Sequence, residues 1–66
     1  MDVTLNGEKQ AVADGLTVAT LLESLGLAGQ PCAVEVNGQV VPKRRHAETP
    51  VRDGDRIEVV TLVGGG

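Results

Sequence analysis

The chain has 66 residues, 41% of them apolar, with no Phe, Trp or Tyr and nine acidic against six basic side chains, a net charge of −3. This describes one small globular domain with an aliphatic core, near the size limit for folding without staples. An acidic chain without aromatics has neither the clustered cations that bind phosphate backbones nor a platform for base stacking, which excludes nucleic acid, and the lone Cys32 excludes an intrachain disulfide framework.

Met1, Val3 and Leu5 alternate with Asp2, Thr4 and Asn6, the period of a half-buried strand. Asn6-Gly7 then gives a hairpin signal, because both residues tolerate the positive φ of a type I′ turn. The return strand is expected over Glu8 to Ala13, with Val12 facing inward, and Asp14-Gly15 closes it. Nothing at the amino terminus resembles a basic stretch followed by an apolar one, so no signal peptide is expected. No apolar run nears the ~20 residues of a membrane span. A cytoplasmic chain with no membrane partner is expected.

Val18, Leu21, Leu22 and Leu25 fall on one helical stripe. Thr17 is placed as N-cap, and Leu16 before it can staple to Leu21. Gly26 suits the left-handed position of a Schellman motif, with Leu27 folding back on Leu22. Beyond Gly29-Gln30-Pro31, the residues Cys32, Val34 and Val36 alternate as a third strand. A second Asn-Gly pair, Asn37-Gly38, turns it into Gln39-Val40-Val41, which Pro42 stops. Residues 43–50 read as polar and mostly irregular, with room for one helical turn. Arg52-Asp53-Gly54-Asp55 turns into a final strand over 56–62.

A short amphipathic helix between strand pairs must cover one sheet face. The crossover is long enough to set the first and last strands side by side and parallel in the middle of the sheet. The fold class is α+β, a roll of four or five mixed strands on one main helix. A domain over 1–62 is expected to be followed by a flexible tail, Val63-Gly64-Gly65-Gly66, since consecutive glycines lose the most backbone freedom on ordering. Such a thread can enter a channel too narrow for any Cβ. Extended, four residues reach about 13 Å, enough to enter a cleft.

Strand parity locates a candidate surface. If Ile57 and Val59 face the helix, then Arg56, Glu58, Val60 and Leu62 face away, leaving Val60 and Leu62 as exposed apolar residues just before the tail. Cys32 shares the parity of Val34 and Val36 and is read as a small inward hydrophobe. His46 has no companion at metal-ligand spacing and is read as a surface loop residue. Lys43-Arg44-Arg45-His46 is read as a solvated basic loop, with a salt-sensitive contact to an acidic partner as the sharper alternative. Asp53 and Asp55 are assigned to turn chemistry.

Taken together, these pieces resemble the β-grasp, ubiquitin-like proteins, and more narrowly the ThiS family, the sulfur carriers of thiamine thiazole biosynthesis. The resemblance rests on Leu16-Thr17-Val18 with Leu21-Leu22, on Val36-Asn37-Gly38 with Val40-Val41-Pro42, on Asp53-Gly54-Asp55 with Ile57-Glu58-Val59-Val60, and on Val63-Gly64-Gly65-Gly66. An aromatic residue common in that family after the proline is absent, with His46 near its place, a departure that bears on packing. The resemblance implies a carrier rather than an enzyme. An E1-like adenylyltransferase would use ATP to adenylate the Gly66 carboxylate, and sulfur from a cysteine desulfurase would convert it to a thiocarboxylate. Thiazole synthase would then receive the sulfur. Val60, Leu62, Val63, Gly64 and Gly65 would be the partner-binding residues, with no cofactor or metal held by the chain. The small subunit of molybdopterin synthase and a ubiquitin-like modifier are the alternatives.

The residues support this division of labour. A terminal carboxyl has a reference pKa of ~3.3–3.7, so near neutrality it is an anion and a poor electrophile. It needs activation, yet the chain has no Gly-x-x-x-x-Gly-Lys loop and no triad to supply it. The catalytic groups therefore belong to another protein.

Overall fold

The computed structural model describes residues 1–62. The readings placed on Val63, Gly64, Gly65 and Gly66 lie outside the described residues. Five strands, one α-helix and one 3₁₀ helix follow in the order β1 (Asp2–Leu5), β2 (Glu8–Ala11), α1 (Val18–Ser24), β3 (Cys32–Val36), β4 (Gln39–Val41), the 3₁₀ helix (Lys43–Glu48) and β5 (Arg56–Thr61). The sheet order is β2-β1-β5-β3-β4. The first and last strands are parallel neighbours, Thr4 opposite Arg56 and Leu5 opposite Ile57, and the remaining pairs are antiparallel. This is the mixed sheet on one helix expected of a β-grasp roll. Among the described residues no helix is long and apolar enough to cross a membrane.

Local chemistry sets each joint. Asn6 and Gly7 take φ 50° and 83°, Asn37 and Gly38 take 52° and 83°, so both Asn-Gly pairs make the primed turns that match the right-handed strand twist. The first return strand stops at Ala11, earlier than expected. Val12 still donates to the Met1 carbonyl at 2.8 Å and packs half-buried at the core edge. Thr17 caps α1 in a capping box whose second member is Thr20 rather than an acidic residue: Thr20 N donates to Thr17 Oγ1 at 3.2 Å and Thr17 N to Thr20 Oγ1 at 2.7 Å. At the other end Gly26 N donates to Glu23 O and Leu27 N to Leu22 O, the two bonds of a Schellman motif.

The core is aliphatic throughout: Val3, Leu5, Val18, Leu21, Leu22, Val34, Val51, Ile57 and Val59 are buried between α1 and one sheet face. Full burial of a side chain such as Leu21 or Ile57 contributes about 1.5–3 kcal/mol. Residues 49–51 are tied to the helix entry, with Val18 N donating to Thr49 O and Val51 N to Leu16 O. The segment after Pro42 is more ordered than the single turn expected, because its 3₁₀ helix spans six residues and packs against α1.

Candidate functional site

β5 is central in the sheet, and its two faces differ in kind. Ile57 and Val59 point into the core, while Arg56, Glu58, Val60 and Leu62 lie on the opposite face. Val60 is 59% exposed and Leu62 53%, as strand parity anticipated. Val40 on β4 joins them at 71% exposure. The parity of a three-residue strand holding two adjacent valines is ambiguous in the sequence. The register resolves it: Val41 opposes buried Val34, so Val40 turns outward beside Glu35. Around these residues the outer face has an open depression of about 350 Å³ edged by Asn6, Ala33, Glu35, Val40, Glu58 and Val60.

The register also sets charges against each other. Asn37 N donates to Arg56 O at 2.7 Å and Leu62 N to Pro31 O at 2.9 Å. Counting inward in steps of two puts Glu35 directly opposite Glu58 at a hydrogen-bonded position, where Cα atoms are about 5.5 Å apart. Val60 faces Ala33 in the next row. The outer face is thus an apolar patch interrupted by paired carboxylates.

Two asparagines hold β5 in place. Asn6 Oδ1 accepts from Val59 N at 2.8 Å and Asn6 Nδ2 donates to Val59 O at 3.2 Å, so one side chain supplies a pair of ladder bonds where β1 has ended. Asn37 Oδ1 accepts from Arg56 N at 2.9 Å. Asp55 Oδ1 accepts from Asn37 Nδ2, and its Oδ2 accepts from Arg52 N. Asp53 accepts from Asp2 N at 2.8 Å. The turn role assigned to Asp53 and Asp55 holds for Asp55, which bonds Arg52 N across the turn, while the Asp53 side chain instead braces the start of β1.

The helix side carries the other singled-out residues, away from the outer face. Cys32 is half-buried against the core, as expected, with Sγ 3.3 Å from the carbonyl of Gln30. His46 corrects the surface-loop reading. It is only 8% exposed, and its Nε2 donates to the Val41 carbonyl at 3.0 Å. The 3₁₀ helix rolls this one side chain beneath α1 while Lys43, Arg44 and Arg45 stay in solvent. Cys32 and His46 both line a depression of about 250 Å³ with Ala19, Leu22, Leu27 and Lys43.

Strand parity placed Val60 and Leu62 as exposed residues, and the structure groups Val60 with Val40, Ala33, Glu35 and Glu58 around the depression, which Leu62 does not line. Comparisons with known proteins identify the family and the fold. A family model described as the ThiS family matches residues 3–66. The sulfur carrier protein ThiS of Escherichia coli is 35% identical over 66 residues, covering the whole of both chains. A thiazole synthase of Paramagnetospirillum magneticum is 41% identical over 66 residues, and the chain spans only 20% of that relative's length. The crystal structure of a thiamine biosynthesis protein, ThiS, from Geobacter metallireducens superposes with a TM-score of 0.85 at 38% identity, covering all of both chains.

Proposed function

The chain belongs to the ThiS family, and we propose that it serves as a protein co-substrate that carries sulfur for assembly of the thiazole ring of thiamine. In this reading the Gly66 carboxylate is the working group. An E1-like adenylyltransferase spends ATP to make it a mixed anhydride with release of pyrophosphate. The outer sulfur of a persulfide formed by a cysteine desulfurase displaces AMP to give an acyl disulfide. A thiol reduces that disulfide to the thiocarboxylate, and the thiocarboxylate passes its sulfur to a thiazole synthase. Glycine offers the least steric hindrance at the acyl carbon, and Gly64 and Gly65 let the thread enter a narrow cleft. The folded domain is the handle, gripped through Val60 and Leu62 with Val63 leading into the cleft.

One observation carries this reading. The outer face of β5 exposes Val60 and Leu62 immediately ahead of Val63–Gly66, within a stretch that the family model matches through residue 66. Occurrence of a similar stretch inside proteins named thiazole synthase supports the thiazole pathway as the destination. The test is intact mass measurement after incubation with ATP, the adenylating enzyme, cysteine and a desulfurase. The expected product differs from the starting chain by one oxygen exchanged for sulfur, located at Gly66 by fragmentation. An unchanged mass, or conjugation to lysines of other proteins, overturns the reading.

A further inference from the structure

Like charges directly opposite each other on neighbouring strands oppose sheet formation. Glu35 on β3 and Glu58 on β5 stand in that relation, and among the described residues no cation forms a salt bridge with either. Arg56 shares the outer face but lies one row away, opposite Asn37 and beside Gly38. Apolar groups flank the carboxylates, with Val40 beside Glu35 and the Ala33–Val60 pair in the adjoining row. The site therefore concentrates negative charge between surfaces that favour an aliphatic chain.

An arginine side chain matches every part of this arrangement. Its planar fork has five N–H donors, enough to bridge two carboxylates, and its methylene stem can lie along Val40 or Val60. A lysine ammonium, compact and strongly hydrated, matches the apolar flank less well. We infer that the Glu35–Glu58 pair receives an arginine of the adenylating partner, and that this contact sets which partner the outer face accepts. The inference rests on the reading that this face is where the partner docks.

The experiment titrates the adenylating enzyme with the chain by calorimetry, at low salt and at about 0.15 M. Glu35→Gln and Glu58→Gln should each weaken binding about tenfold, the size of one lost charge-assisted hydrogen bond. The double variant should lose more, and its affinity should depend less on salt. Glu58→Lys separates recognition from folding. It should raise the melting temperature, because it forms an opposite-charge pair with Glu35, yet bind more weakly than Glu58→Gln. Unchanged affinity in the double glutamine variant overturns the inference, as does Glu58→Lys binding as well as Glu58→Gln. Val60→Asp tells the two failures apart. If it abolishes binding while the glutamine variants bind normally, the docking face stands and the arginine contact falls. If Val60→Asp also binds normally, the docking face is wrong and the inference goes with it.

Discussion

Asn6 is where a small change should show how the working strand is held. Its side chain makes two hydrogen bonds to the backbone of Val59, 53 residues away, and its own backbone sits at φ 50°. Replacing it with alanine removes both bonds, about 1 kcal/mol each. It also puts alanine, which tolerates the left-handed region less well than asparagine, at this φ of 50°, a further ~1 kcal/mol. The expected loss is about 3 kcal/mol, a large share of the roughly 3–10 kcal/mol that 66 residues support. At roughly 4–8 °C per kcal/mol for a domain of this size, the melting temperature should fall by more than about 10 °C. Asn6→Gly keeps the turn unstrained and isolates the two bonds, so about 2 kcal/mol of the loss should remain. Urea unfolding measures both, with an unchanged m-value marking a true stability effect. Amide exchange adds a local reading, because Val59 N–H loses its acceptor and should exchange much faster. If Asn6→Ala stays within about 0.5 kcal/mol of the parent, or Val59 protection is unaltered, the claim that Asn6 pins β5 is wrong.

Further outcomes follow from single contacts. Thr17→Ala removes the cap acceptor of α1 and should cost about 1 kcal/mol in chemical denaturation. His46→Ala strands the Val41 carbonyl and enlarges the depression beside Leu22, for a loss of about 2–3 kcal/mol; His46→Phe, which refills the space without the bond, should lose less in the same thermal melt. Cys32→Ala should leave sulfur loading intact by mass spectrometry at a stability cost of about 1 kcal/mol, whereas deletion of Gly65 and Gly66 should abolish loading. Loading that fails in Cys32→Ala would move the sulfur chemistry into the folded domain.

What could be read in the sequence was what local pattern encodes. The two Asn-Gly turns, the stripe of Val18, Leu21, Leu22 and Leu25, and the Gly26 stop each sit within a few residues, and together they dictated the roll. Central placement of β5 followed from the length of the crossover. His46 was misplaced because a 3₁₀ helix buries a single side chain, and one isolated position produces no periodicity. Val40 was missed because a three-residue strand with two adjacent valines has no readable parity. The opposition of Glu35 and Glu58, and the Asn6 lock on Val59, depend on register between strands 23 and 53 residues apart. No window of sequence contains both members of either pair.

The placement of β5 bears on how a partner would handle the residues that follow it. A partner that grips the outer face can aim the residues after Leu62 only as well as it can fix β5. That strand is hydrogen-bonded on one edge to β1 and on the other to β3, braced by Asn6 and Asn37, and backed by buried Ile57 and Val59. Leu62 N is held to the Pro31 carbonyl, so the brace runs to the last described residue. Misplacing a reacting group by about 1 Å can cost 10²-fold in rate, and stiffness at residue 62 removes the handle as a source of that error. An edge strand such as β2 or β4, bonded on one side only, would pass its own fluctuation to whatever followed it. On the proposed reading, the topology thus sets Leu62, the last residue before the reacting segment, at the end of a strand paired along both edges.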